Sequence, residues 1–452
     1  MVAVKTFKKG GVHPADHKLS AKEPFVKAPL PKMAIIHVTQ HLGAPAKVLV
    51  KKGDKVKTGQ LIAEASGFIS ANIHASVTGK VMKIDNAIDA SGYKKTAIFI
   101  KTDKEEVWED GIDTSDTLVK DIPFSPQEIV EKVKKAGIVG MGGATFPTNV
   151  KLTPPPGKKA EYLIINGVEC EPYLTVDHRT MLERGHELMI GTKILMKALG
   201  VSKAIIGIEN NKPDAIEYLV GIASEYEGIT IQPLKMKYPQ GGEKQLIQAI
   251  LGREVPSGGL PIDVGVVVQN VGTTVAVYKA VQKNMPLIER TVTVSGLNFP
   301  KPGNFIVRIG TPIKELVDFA GGVPENTGKI IAGGPMTGKA LSSLDAPVQK
   351  GTSGVIFFPD EAAHRKPYQD CIRCAKCVSV CPAGLEPYLL MTLTEHQMYD
   401  KVRANHVTDC IECGSCSFIC PSYRPLLDYI RLGKKTVMDQ IRAERAAKQQ
   451  KK

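Results

Sequence analysis

Long apolar runs are missing from this 452-residue chain: none approaches the about 18 consecutive apolar residues that a spanning helix needs. The chain is therefore expected not to cross a membrane by itself. Cysteine is scarce where a disulfide framework would need it. Eight of the nine cysteines lie in two short runs late in the chain and only Cys170 lies elsewhere, so a reducing compartment is expected. Lys5, Lys8 and Lys9 have no apolar stretch behind them, so a secretory signal is not expected. There is no nucleic-acid motif and no interleaving of aromatic with basic residues, although the net charge is +13.

That charge is concentrated at the ends. Residues 1–60 hold twelve lysines against Asp16, Glu23 and Asp54, and residues 433–452 hold seven basic side chains against Asp439 and Glu444. Basic ends on a nearly neutral body suit an acidic protein partner, an acidic electron carrier or anionic lipid headgroups better than nucleic acid. Binding to partner membranes is expected to weaken with salt.

What is present is led by the two cysteine runs. Cys371, Cys374, Cys377 and Cys381 precede Pro382, and Cys410, Cys413, Cys416 and Cys420 precede Pro421. Each reads C-x2-C-x2-C-x3-C-P, the spacing that wraps [4Fe–4S] cubes in two-cluster ferredoxins, where the fourth cysteine serves the other cluster. The expected ligand sets are Cys371, Cys374, Cys377 and Cys420 for one cluster, and Cys410, Cys413, Cys416 and Cys381 for the other. A pair of structural zinc sites would instead join two short hooks across a longer loop. Cys170, outside both runs, is read as a small filler.

Before these runs the text changes character three times. Residues 30–105 alternate short apolar segments with Gly-containing turns, which predicts a small all-β unit. Its G-D-x-V-x-x-G-x-L-I pattern, Gly53 to Ile62, resembles biotinyl/lipoyl-type domains, but Gly67 stands where their acceptor lysine would be; a docking role is expected rather than a carrier role. Ser125-Pro126-Gln127-Glu128 predicts a helix start with a capping box, and Gly137 its stop. Strand-like segments at 162–165, 204–208, 229–231 and 264–268 then alternate with helical ones, with Thr273 or Thr274 as a cap, predicting a largely parallel α/β sheet. Residues 290–322 read as a β-rich module with one helix, Ile313 to Phe319, and Glu386 to Asn405 as helical.

Between the first helix and the first α/β strand lies Gly137-Ile138-Val139-Gly140-Met141-Gly142-Gly143-Ala144-Thr145-Phe146-Pro147-Thr148-Asn149-Val150-Lys151. Clustered glycines leave peptide N–H groups open to a phosphate or a flat ring, and Lys151 adds a point charge. A tight structural turn explains such a cluster equally well. Clusters take electrons singly whereas nicotinamide delivers two together, and a flavin converts between the two.

The glycine stretch resembles the G-x-G-G-x-x-F-P-T-x-x-K motif of the NADH- and FMN-binding subunit of respiratory complex I, and Asn166 to Pro172 resembles its N-x-x-E-x-E-P segment. With the lipoyl-like front, a β-grasp module and two terminal clusters, the whole chain resembles the RnfC family of Rnf electron-transport complexes. The fold class implied is multidomain α/β and α+β. Its units are an N-terminal barrel-sandwich (1–110), a Rossmann-like NADH/FMN domain (120–287), an SLBB β-grasp module (288–360), a helical two-cluster ferredoxin-like domain (361–430) and a basic tail (431–452).

The resemblance implies FMN held by Gly140, Gly142, Gly143, Asn166 and Asn270 with Lys151 on phosphate. It implies NADH near Phe146, with Glu171 and Glu243 on its sugars or amide, and Glu169 and Gly241 within the same site. Met141 and Gly242 depart from complex I, which has arginine and glutamate there. The implied activity is that of an NADH-linked iron–sulfur flavoprotein oxidoreductase in an ion-translocating complex. It would sit at the cytoplasmic face of the membrane and pass electrons to an iron–sulfur subunit or ferredoxin. A relay with a lapsed nucleotide site, or a cobalamin-reductase-like enzyme, are the rival expectations.

Overall fold

A computed structural model describes residues 3–450, with side chains to Lys448. Lys451 and Lys452 of the basic tail lie outside the described residues. The chain folds as the expected series of units. Residues 33–102 form a barrel-sandwich: Met33–His37, Lys94–Thr102, Gly79–Ile88 and Lys55–Val56 make one sheet, and Lys47–Val48, Leu61–Glu64 and Ile73–His74 the other. Alternation sends Ile36, Ile62, Ile73, Ile98 and Ile100 into a common core between them. In the loop corresponding to the lipoyl hairpin, Phe68 is 80% exposed.

The second unit carries a four-stranded parallel sheet ordered Ile229–Leu234, Ala204–Glu209, Tyr162–Asn166, Val266–Asn270. Leu163 and Ile165 pack into the core on one face while Ile164 joins a second core on the other. Covering on both faces is why this strand reads as an unbroken apolar run. The first helix, Pro126–Lys135, begins as its sequence requires: the Glu128 N–H donates to the Ser125 hydroxyl (3.3 Å), and the Ser125 N–H to the Glu128 carboxylate (2.7 Å). Helix Val271–Gln282 starts earlier than Thr273 or Thr274 would allow. Its cap is Asn270, whose Oδ1 accepts from the N–H groups of Gly272 (2.8 Å) and Thr273 (3.3 Å).

The β-grasp unit is a mixed sheet with helix Ile313–Phe319. The cluster unit is helical. Its expected helix over 386–405 is two, Pro387–Glu395 and Tyr399–Ala404, parted where Gln397 turns to φ +56°. The final helix, Leu426–Gln450, is amphipathic, and no described helix is long and apolar enough to cross a membrane.

Residues 3–27 depart from the sequence expectation. They lie outside the barrel sheets and run as an arm across the other three units. Lys5 bridges to Leu234 of the parallel sheet, Phe7 is buried against it, and Val12 exchanges backbone hydrogen bonds with Tyr238 (2.8 and 2.9 Å). The Gly11 N–H donates to the Val380 carbonyl (2.8 Å), beside Cys381. Phe25–Lys27 then adds a parallel edge strand to the β-grasp sheet. Lys5, although exposed, donates to the Ile250 carbonyl (2.8 Å), so one lysine of the basic front is tethered to the body of the protein. A second tie is Lys350, buried, whose ammonium donates to the carbonyls of Asn72 (2.6 Å) and Gly137 (2.7 Å), joining barrel, α/β and β-grasp units.

Candidate nucleotide and cluster sites

The strand order of the parallel sheet reverses between Tyr162–Asn166 and Val266–Asn270, and open α/β sheets bind ligands beyond the carboxyl ends at such a point. Both strands end in asparagine, and Asn166 and Asn270 are register partners. Asn166 Nδ2 donates to the Gly241 carbonyl (2.9 Å), and Asn270 Nδ2 donates to Asp177 (2.7 Å). The glycine stretch closes over these ends as a turn: the Gly140 N–H donates to the Phe146 carbonyl (2.9 Å), and the Met141 N–H to the Thr273 hydroxyl (2.9 Å). A Cβ on Gly142 would stand 2.7 Å from Asn270 Nδ2, so glycine is required there, while Gly143 faces open space.

The result is a cavity of about 410 Å³, within the range of small-molecule sites. Its wall brings together Gly142, Gly143, Asn166, Glu169, Glu171, Gly241 and Asn270. Gly140, Phe146, Lys151 and Glu243 stand off that wall. Lys151 Nζ is 2.7 Å from Glu243 Oε1 and donates to the Val268 carbonyl (3.2 Å), so these two expected nucleotide contacts hold each other. The barrel, read as a docking unit, reaches the cavity too. Ala90, at the tip of its long hairpin, lines the wall, and Lys339 Nζ donates to the neighbouring Ser91 hydroxyl (2.8 Å).

The acidic loop is fixed from two sides. Glu169, at φ +48°, accepts from the N–H groups of Asp177 (2.7 Å) and His178 (3.3 Å). Lys18 from the arm lies 3.8 Å from its carboxylate and donates to the carbonyls of Glu169 (2.8 Å), Glu171 (3.0 Å) and Leu174 (2.6 Å). Glu171 accepts from the Met336 N–H (3.0 Å) and the Thr337 hydroxyl, both from a glycine-rich β-grasp loop that also lines the cavity. Burial pushes the Glu171 carboxyl above the usual range.

Sequence reasoning missed three wall or support residues: Lys18, Asp177 and Arg290. Arg290 is buried with its guanidinium against Met141, and its Nε donates to the Thr352 carbonyl (3.1 Å). Burial lowers its pKa to about 10. Its signal was legible: it occupies the same inward register of strand Glu289–Gly296 as Val292 and Val294, a place for an apolar residue unless the charge has work to do. No local pattern marks Asp177 or Lys18.

Burial, reinforced by repulsion from Glu169, pushes the Asp177 carboxyl up from 3.8 to about 7. The folded protein thus binds a proton there that the unfolded chain has released. Asp177 favours folding most below its unfolded value, and that contribution is lost as pH rises through about 7. Asp177→Asn is expected to flatten the decline in denaturation midpoint between pH 4 and 8. An unchanged slope would remove Asp177 as its source.

For the clusters, Cys381, Cys410, Cys413 and Cys416 line one small cavity of about 20 Å³, closed by Leu385, Leu390, Leu427 and Ile430. The Leu385 N–H points to Cys381 Sγ (3.3 Å) and the Glu412 N–H to Cys410 Sγ (3.4 Å). Four soft donors in an apolar pocket with peptide N–H groups on sulfur fit an iron–sulfur cube. Among the described residues no three His, Cys, Asp or Glu side chains converge on a single-ion site. Burial pushes the Cys377 thiol up, and Cys420 and Cys371 lie close enough to add to that effect. Cys371 and Cys374 are exposed, whereas Cys381 and Cys416 are buried.

The inner set abuts the nucleotide cavity. Tyr238 Oη donates to the Cys413 carbonyl (2.8 Å), and the Met336 carbonyl would lie 3.0 Å from a Cβ on Gly414. Met336 is also the residue whose N–H binds Glu171 on the cavity wall. Cys170, between Glu169 and Glu171, accepts from the Gly241 N–H (3.4 Å), and burial pushes its thiol far up, which leaves it inert packing.

Comparison with known proteins follows the same division. Residues 5–105 match the RnfC barrel sandwich hybrid domain, 133–279 the Nuo51 FMN-binding domain, 291–340 the SLBB domain and 364–422 the 4Fe-4S dicluster domain. The C subunit of the proton-translocating ferredoxin:NAD(+) oxidoreductase complex of Clostridium ljungdahlii is 47% identical over 406 residues, 89% of this chain and 87% of that one. The C subunit of the Na(+)-translocating complex of Acetobacterium woodii is 44% identical over 441 residues, covering 96% and 98%. The C subunit of the ion-translocating oxidoreductase complex of Rhodobacter capsulatus is 42% identical over 391 residues, covering 84% and 74%. With relatives this similar across nearly its whole length, the chain belongs to the RnfC family, the C subunits of ion-translocating ferredoxin:NAD(+) oxidoreductase complexes.

Proposed function

We propose that this chain is the nucleotide-handling subunit of such a complex, exchanging electrons reversibly between NADH and a partner iron–sulfur protein at the cytoplasmic face of the membrane. The observation that carries this is the shared wall: one loop, Gly334 to Thr337, lines the nucleotide cavity through Glu171 and touches the inner cysteine pocket at Gly414. FMN, when bound, supplies the change from paired to single electrons. Gly142, Gly143 and Gly241 give it an unobstructed backbone, and Asn166 and Asn270 hold its polar groups. Gly140 and Phe146 fix the glycine turn around it. Glu169 and Glu171 set the acidic side on which the nicotinamide nucleotide is held, and Lys151 with Glu243 closes the flank.

The cations on the wall are Arg290, buried, and Lys339, exposed. Arg290 meets Met141, the place where complex I carries arginine, so a strand of the β-grasp unit restores the charge that the glycine stretch lacks. Arg290→Met is therefore expected to weaken FMN binding at least tenfold, measured by quenching of flavin fluorescence, and Lys151→Met by less. Equal losses would return the phosphate role to Lys151.

The test of the function is an anaerobic NADH titration of the reconstituted chain, followed by absorbance and electron paramagnetic resonance. Flavin bleaching and then cluster signals are expected. Clusters that dithionite reduces but NADH does not, with flavin content verified, would overturn the reading in favour of a relay.

A further inference from the structure

We infer that the surface around the Cys371–Cys374 loop docks a small acidic iron–sulfur protein. This rests on the electron-transfer reading above and adds where the handover occurs and what chemistry recognises the partner. Residues 364–376 are exposed without interruption, and no helix or strand forms before Lys376. Five bulky apolar side chains stand out around this run: Tyr368 and Ile372 within it, and Tyr388, Phe418 and Tyr423 beside it, from 41% to 67% exposed.

Backbone contacts gather them. The Gln369 N–H donates to the Ser422 carbonyl (2.9 Å), which lays the Tyr368 segment alongside Tyr423. The Tyr388 backbone lies close enough to the Cys377 thiol to stabilise its thiolate, and Phe418 lies between Cys416 and Cys420 in the chain. Grouped exposed apolar side chains with a polar rim mark an interaction surface.

The rim decides the partner. Residues 364–376 carry Arg365, Lys366, Arg373 and Lys376 against Asp370 alone. Arg365 is paired with Asp428, while Lys366, Arg373 and Lys376 stand in no ion pair among the described residues. An apolar centre with a cationic rim suits a protein whose own face is apolar and acidic, since complementary charge steers encounter and fixes register. Two cysteine ligands at the middle of the patch make that protein a redox carrier. One electron crosses at a time: the carrier's cluster is oxidised by one electron as this chain's is reduced, with no bond made and no proton moved.

The test uses the reconstituted full chain and, as probe, a small acidic ferredoxin carrying two [4Fe–4S] clusters. Tyr368→Ser with Tyr423→Ser lies outside the ligand spacing, and Arg373→Glu with Lys376→Glu reverses the rim. Each pair is expected to weaken ferredoxin binding at least tenfold at low salt, with iron content and NADH bleaching of the flavin unchanged. The charge-reversed pair should also lose most of the salt dependence. Unchanged affinity in both variants, with NADH still reducing the clusters, would overturn the docking face and leave the functional reading standing. A wild-type chain whose clusters NADH cannot reduce would instead overturn that reading. If the rim variant loses binding to vesicles of anionic phospholipid while ferredoxin binding is unaffected, the patch is a lipid surface and the inference fails.

Discussion

Cys413→Ala is expected to abolish NADH-driven reduction of the Cys371–Cys374–Cys377–Cys420 cluster while NADH still bleaches the flavin. The inner pocket of Cys381, Cys410, Cys413 and Cys416 is tied to the nucleotide cavity by the Met336 loop, whereas Cys371 and Cys374 of the outer set are exposed. Electron transfer between centres falls steeply with separation, so removing the inner stop breaks the series. Cys374→Ala should have the opposite pattern, leaving an NADH-reducible inner cluster. Electron paramagnetic resonance after NADH and then after dithionite separates the cases. An outer cluster that NADH reduces in Cys413→Ala would show that the two are fed in parallel.

The second large effect belongs to a residue that does not line the cavity itself but holds its acidic wall from behind. Lys18→Met removes the ammonium that serves three carbonyls of the 169–174 loop and lies beside Glu169. Its side chain is 12% exposed and that of Glu169 is 3% exposed. Breaking a buried pair leaves the remaining charge uncompensated and costs about 3–5 kcal/mol. The first unfolding transition in urea should move down accordingly, with flavin affinity falling because Glu169 and Glu171 are no longer held. A variant as stable as the parent would mean that water or another side chain serves those carbonyls. The chain has several units, so the relevant quantity is that first transition and not one global free energy.

These two effects differ in how visible they were in the amino-acid sequence. Three ligands of each expected cluster set follow from short spacing, because one tight loop must reach one cube, while the fourth is expected from the other cysteine run. The parallel sheet, the capped helix at Ser125 and the helix Ile313–Phe319 were equally legible, since periodicity and caps are local signals. Asn166 and Asn270 were singled out by resemblance, and the sheet explains their partnership as adjacent strand ends. Lys18, Glu171 with Met336, and Arg290 with Met141 join residues 149 or more positions apart. No window of sequence holds both partners of such a contact. Charge was misleading for the same reason. Lysines counted as an outward basic front include Lys5 and Lys18, whose ammonium groups are directed at backbone carbonyls.

The arm of residues 3–27 has a consequence in time. It is made early in translation, yet its partners are Pro233, Tyr238, Asn304 and Val380, the last of which leaves the ribosome more than 350 residues later. Non-local pairings of this span form late. While Val380 is unmade, Cys381 is unmade too, and nothing fastens the arm at that end. The first segment of the chain therefore reaches its final place only after the last unit has begun to emerge, and the order of assembly reverses the order of synthesis.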